Sequence, residues 1–196
     1  MKQKLFQTKN LVQMALLACL AAVLMLFEIP LPFAPFFYEL DFSEVPILIG
    51  AFLMGPLAGM VIEFVKILLN LVMNGTITFG IGECANLLIG CSLIMPASWI
   101  YRRKNNRISL ILGCIVGIIV LVVVGALLNY FVLLPFYSQF MPIEQIIQAG
   151  AAVNAFVYDM KSLILWAVVP FNLLKGVLVS VITILLYPKL EKALKK

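Results

Sequence analysis

The sequence contains no histidine, so it lacks the side chain most often used as general base and metal ligand near neutral pH. Charge is scarce as well: 12% of the 196 residues are Asp, Glu, Lys or Arg, where soluble domains carry about a quarter. Four cysteines, Cys19, Cys84, Cys91 and Cys114, lie in or beside apolar runs without CxxC spacing. They read as buried, inert thiols rather than a redox or zinc site. Asn74–Glu83 is rich in glycine but lacks the lysine of a phosphate-binding loop and follows no strand. No nucleophile–base pair, metal cluster or ATPase motif is present. These absences predict no catalytic residues, no metal and no cofactor.

What fills the chain instead is apolar. Hydrophobic residues make up 64% of it, and the mean hydropathy is +1.12. This predicts an all-α integral membrane protein forming one domain over residues 1–196. The apolar runs place spans at about 10–28, 45–56, 57–73, 84–101, 108–134 and 162–188. The net charge of +5 does not point to nucleic acid, because 11 of the 14 basic residues form three clusters that flank apolar runs. Lys2, Lys4 and Lys9 form one, Arg102, Arg103, Lys104 and Arg107 the second, and Lys189, Lys192, Lys195 and Lys196 the third. The positive-inside rule puts all three in the cytoplasm, which requires an even number of spans. Six transmembrane helices with both termini cytoplasmic satisfy it.

At the N-terminus, Leu16–Cys19 loosely resembles a lipoprotein processing box, but the apolar run continues through Phe27, as in a retained helix. Ala15, Ala18, Cys19 and Ala22 give this helix a small-residue stripe. Such a stripe serves close packing inside the protein or the docking of a partner helix. After it, Pro30, Pro32 and Pro35 predict an irregular extracellular loop. The loop's aromatics, Phe33, Phe36, Phe37, Tyr38 and Phe42, suit a lid over a flat ligand or an interfacial belt. Glu63, Lys66 and Asn70 share a face of the third span, where a Glu63–Lys66 pair acts as structural glue. Glu83 and Asn86 share a face of the fourth, and Asn129 lies near the outer end of the fifth. Residues 142–160 are too polar to span and predict an outer loop with a short helix.

The feature hardest to place in lipid is Pro170-Phe171-Asn172-Leu173-Leu174-Lys175-Gly176. Lys175 stands about 13 residues from either end of its apolar run, roughly 20 Å from water at 1.5 Å per residue. That exceeds the reach of a snorkelling side chain. A lone charge at this depth costs at least about 2.5–3.5 kcal/mol and faces a cavity or a partner. Lys175 therefore contacts a ligand or pairs with Glu63. With Asn172 one turn nearer the exterior, the residues describe groups that orient a mostly apolar ligand.

Four stretches in this order carry a family resemblance: Leu40-Asp41-Phe42-Ser43-Glu44-Val45-Pro46, Gly50-Ala51-Phe52 with Gly55-Pro56, Gly82-Glu83-Cys84-Ala85-Asn86, and Pro170–Gly176. The chain resembles the riboflavin-specific S components of energy-coupling factor (ECF) transporters. Cys84 stands where the family pattern has a leucine or similar residue. The resemblance implies a subunit of the bacterial plasma membrane that captures riboflavin from outside. It has no ATPase of its own and docks on a membrane-embedded coupling (T) protein with two ABC-type ATPases. It also implies a substrate site of Leu40, Asp41, Glu83, Asn86, Asn129, Asn172 and Lys175, and a partner face of Ala18 and Ala22 with Ala15 and Cys19. An S component for thiamine, biotin or pantothenate is the alternative.

Overall fold

Gly55-Pro56 turns the chain back on itself, and the rest of the bundle is set by that hairpin. Gly55 adopts φ 113°, a conformation open to glycine and strained for other residues. Pro56 then starts the next helix, where its missing N–H is of no consequence. The computed structural model describes residues 7–31, 38–76 and 78–194, with side chains through residue 192. The basic residues Lys2, Lys4, Lys195 and Lys196 and the loop aromatics Phe33, Phe36 and Phe37 lie outside the described residues.

The element order is α1 (Thr8–Met25), β1 (Ile29–Pro30), β2 (Glu39–Leu40), α2 (Glu44–Met54), α3 (Pro56–Asn74), α4 (Ile81–Lys104) and α5 (Arg107–Leu128). A π-helical turn at Asn129–Leu133 leads into α6 (Leu134–Tyr137). Then come α7 (Ile143–Ala151), α8 (Met160–Leu163), a second π-helical turn at Ile164–Val168, and α9 (Val169–Leu194). Arg107–Tyr137 and Met160–Lys192 are continuous rods, and with α1, α3 and α4 they make five helices, among the described residues, that are long and apolar enough to cross a membrane. Among the described residues the regular structure is helical apart from one antiparallel pairing, Ile29 with Leu40 and Pro30 with Glu39. The loop after α1, expected to be irregular, is pinned there.

α2 lies where the span at 45–56 is expected and has nearly that length. Its 11 residues extend roughly 16 Å, about half a hydrocarbon core. Every one of them is buried, so α2 is a central post within the bundle. The chain therefore enters the bundle part-way down, and the residues just before α2 are carried inside with it. Glu44 and Lys66 each stand eleven residues from Gly55, which sets them opposite one another in the α2–α3 hairpin. Lys66 Nζ lies 2.9 Å from Glu44 Oε1 and 2.8 Å from Glu63 Oε1, with all three side chains buried. The same ammonium donates to Ser43 Oγ at 3.3 Å. Gly90 on α4 leaves room for the cluster: a Cβ there would come within 2.5 Å of Glu63 Oε1 and 3.1 Å of Glu44 Oε1.

The opposite end is aromatic and basic. Phe52, Tyr101 and Tyr187 meet edge to face with centroids 5.2–5.4 Å apart, tying α2, α4 and α9 together. Arg102 donates from Nη1 to Leu53 O at 3.1 Å. The Gly55-Pro56 turn has no charge of its own, yet it sits beside a cation of the Arg102–Lys104 cluster. Helix ends run past expectation in places: α9 continues through Pro188, and the α5 rod extends to Tyr137, whereas α1 stops at Met25 rather than 28. Of the four cysteines expected to be buried, only Cys114 is; Cys91 is partly covered, and Cys19 and Cys84 lie exposed on the outer surface of the bundle.

Lys66→Met leaves two carboxylates buried without their cation. Loss of one partner of a buried pair costs about 3–5 kcal/mol, so thermal unfolding in detergent should occur well below the wild-type temperature. Glu44→Gln and Glu63→Gln added to Lys66→Met should restore much of the loss. A Lys66→Met protein that melts like wild type would contradict the role given to the cluster.

Candidate functional site

Both rods carry a proline at position 135 or 170, and each is preceded by a π-helical turn. Proline cannot donate to the carbonyl four residues back, and the widened turn accommodates the break. Trp166 O, left without the Pro170 N–H, accepts from Asn154 Nδ2 at 3.0 Å. The first turn begins at Asn129, and the second lies just before Phe171 and Asn172.

Between these two sites, the β-ladder and α4 lies a cavity of about 230 Å³. Five predicted site residues line it: Asp41, Asn86, Asn129, Asn172 and Lys175. The other two do not. Leu40 is buried in the ladder opposite Ile29, and Glu83 accepts from Thr78 Oγ1 at 2.9 Å, bracing the turn before α4.

Lys175 Nζ pairs with Asp41 Oδ2 at 2.8 Å, so the expected pairing with Glu63, which is bound to Lys66 instead, is replaced by a carboxylate from the loop. Asp41 is fixed in turn by the Ser43 N–H, which donates to Oδ1 at 2.8 Å. Burial would raise the Asp41 pKa, but the charges of Lys175 and Lys66 and the bonds from Lys175 and Ser43 outweigh it and hold the carboxyl below its usual range. One short segment, residues 41–44, thus supplies anions to both buried lysines.

The two asparagines are anchored differently. Asn172 Nδ2 donates to Val168 O at 2.9 Å, which leaves Oδ1 as an uncommitted acceptor among the described residues. Asn129 Nδ2 donates to Gly125 O at 2.8 Å, while its Oδ1 accepts from the Tyr38 hydroxyl at 2.6 Å. Gly125 has no side chain where Asn172 passes: a Cβ would come within 3.0 Å of Asn172 Nδ2.

The apolar wall comes from residues that carry no distinguishing mark in the sequence. Phe171 and Tyr38 line the cavity with ring centroids 5.2 Å apart, and Tyr137, Ile89 and Met25 complete it. Tyr38 belonged to an expected aromatic loop, but nothing in the sequence singled it out from its neighbours. Phe171 lay within the flagged motif and reads as ordinary core. Tyr130, Phe131 and Trp166, the other aromatics near the motifs, are not among the lining residues.

Glu28 and Glu39 complete the lining from the ladder side. Partial burial, a hydrogen bond with Glu39 and the charges of Glu39 and Asp41 lift the Glu28 pKa from 4.5 to about 7, against the pull of Lys175. An acid whose folded pKa is raised holds its proton more tightly in the folded state, so stability falls as pH rises between those two values. Melting should therefore show a decrease from pH 5 to pH 8 that Glu28→Gln reduces. An unchanged pH profile in Glu28→Gln would contradict this assignment.

The profile of the family "ECF transporter, substrate-specific component" matches residues 9–187. The riboflavin transporter RibU of Staphylococcus aureus (strain TCH60) is 37% identical over 195 residues, covering 100% of this chain and 97% of the relative. The riboflavin transporter FmnP of Bacillus subtilis (strain 168) is 28% identical over 186 residues, covering 94% and 93%. A solved S component of a bacterial ECF transporter superposes with a TM-score of 0.75 at 37% identity, covering 97% of this chain and 99% of that one. The chain belongs to the substrate-specific components of ECF transporters, multi-pass proteins of the cell membrane.

Proposed function

We propose that this chain is the riboflavin-binding subunit of an ECF transporter, with Asn172 and Lys175 holding the pyrimidine edge of the flavin. The observation that carries this reading is the pairing, within one helical turn, of an uncommitted carboxamide oxygen and an ammonium with donors to spare. The flavin edge alternates acceptor, donor and acceptor. Asn172 Oδ1 accepts from the ring N–H, and Lys175, which spends one of its three N–H bonds on Asp41, donates to a flanking carbonyl. Phe171, Tyr38 and Tyr137 supply aromatic surface for the ring system. Asn86, Glu28 and Glu39 offer partners for the ribityl hydroxyls. Asn129 acts through Tyr38, and Asp41 through Lys175. Glu83 and Leu40 brace the walls rather than touch the ligand. The riboflavin names of the curated relatives favour this vitamin over thiamine, biotin or pantothenate.

The single domain spans the membrane six times in this reading, with the buried α2 completing the count and both termini cytoplasmic. The basic residues at the ends of α4 and α9 support that orientation. ATP hydrolysis falls to two ABC-type ATPases, joined through a membrane-embedded coupling (T) protein. For docking on that protein, the small-residue stripe of α1 divides. Ala18 and Ala22 are 1% and 2% exposed and pack inside the chain, whereas Ala15 and Cys19 face outward. The partner face is assigned to Ala15 and Cys19.

Asn172→Ala removes hydrogen bonds to the ligand without stranding a charge. It should weaken riboflavin binding roughly 10- to 100-fold, with little change in melting temperature. Fluorescence titration checks it, and wild-type affinity would overturn the site assignment. Lys175→Gln is best tested together with Asp41→Asn, so that no buried anion is left unpaired, with a loss of similar size expected.

Ala15→Trp or Cys19→Trp should abolish uptake by the assembled transporter while the isolated subunit binds riboflavin normally. Ala18→Trp should instead destabilise the subunit. Normal uptake in both outward-facing variants would refute the docking face.

A further inference from the structure

At the basic end of the bundle, on the far side of the α2 post from the cavity, α5 and α9 flank a groove of about 520 Å³. Arg107, from the first turn of α5, and Lys189 and Lys192, from the last turns of α9, rim it. Leu110, Ile111, Ile184 and Leu185 form its walls. Ile111 and Leu185 are 45% and 67% exposed, so the apolar wall continues onto the outer surface of the bundle, where acyl chains lie. None of the three cations is in an ion pair among the described residues. Glu191, the acid adjoining them in sequence, accepts from the Tyr187 hydroxyl at 3.3 Å and does not line the groove. A neighbouring cleft between α4 and α5 also carries cations, but there Arg103 lies over the Trp99 ring, 4.2 Å from its centroid.

We propose that the α5–α9 groove is a binding site for one anionic phospholipid, its phosphate held by Arg107, Lys189 and Lys192 and an acyl chain laid along Ile111 and Leu185. Three like charges converging from two helices repel one another, and a phosphate relieves that repulsion with charge-assisted hydrogen bonds. Basic pockets between membrane helices at the cytoplasmic face select anionic headgroups on these grounds. A soluble anion would use the cations but not the apolar wall. A zwitterionic lipid would use the wall but bring its own cation to a positive rim. A lipid held across both helices clamps the end of the rod Met160–Lys192, which carries Asn172 and Lys175 near its centre.

The test is native mass spectrometry of the full chain in detergent with phosphatidylglycerol or phosphatidylcholine added at equal concentration. Wild type should retain phosphatidylglycerol roughly tenfold better or more. Arg107→Gln/Lys189→Gln/Lys192→Gln should lose that preference while binding riboflavin normally, since no substituted residue lines the cavity. Leu185→Arg keeps the rim and spoils the wall, and it should lower phosphatidylglycerol retention without restoring phosphatidylcholine. Equal retention of the two lipids by wild type would overturn the proposal, as would an undiminished preference in the triple variant. Unchanged lipid retention in Leu185→Arg, or displacement of bound lipid by inorganic phosphate, would place the anion on surface charge rather than in the groove. Loss of a co-purifying protein from the triple variant with lipid retention intact would assign the groove to a protein partner instead.

Discussion

Two lysines buried in an apolar bundle dictate how the rest of this chain is arranged. Neither Lys66 nor Lys175 can be held in lipid without an anion, and each receives one from residues 41–44, which lead into the first turn of α2. That segment reaches them only because α2 is short: a full-length second span would have left Asp41 and Glu44 outside the membrane. The length of α2, the tight Gly55-Pro56 turn and the absence of a side chain at Gly90 therefore answer to one electrostatic requirement. Lys66 is fully enclosed and serves the fold. Lys175, 14% exposed at the cavity, is held the same way but keeps hydrogen-bond donors available.

This arrangement links the proposed ligand site to the body of the bundle. The loop that lines the cavity through Tyr38 and Glu39 continues directly into the ion pairs. Tyr38 closes on Asn129 and Phe171, one residue from each of the two long rods, both beside a π-helical turn. The site is thus built on irregular backbone where prolines break the helical ladder, and at Pro170 the freed Trp166 carbonyl is taken up by Asn154. Such placement fixes polar groups at a depth where regular helices would present only side chains to lipid.

Much of this was legible in the sequence. The depth of Lys175 in its apolar run marked it before any neighbour was known, and the i, i+3 spacing of Glu63 and Lys66 announced their pair. What local spacing could not reveal was the identity of long-range partners. Asp41 and Lys175 are 134 residues apart, and nothing in either neighbourhood encodes the contact. The enclosure of α2 was equally hidden, because the expected span at 45–56 has nearly its length and only burial on all sides distinguishes a central post from a lipid-facing span. Glu83, expected in the site, is not among the residues lining the cavity. Its place beside Asn86 suggested a shared role, yet a threonine in the preceding turn claims it.

The central claim is that Asn172 and Lys175 make a flavin-selective pocket in this subunit alone. Titrating the purified chain with riboflavin, and following quenching of flavin fluorescence, tests it most directly. The account predicts saturable one-to-one quenching that excess thiamine, biotin or pantothenate leaves unchanged. Absence of quenching, or its reversal by one of those vitamins, would contradict it.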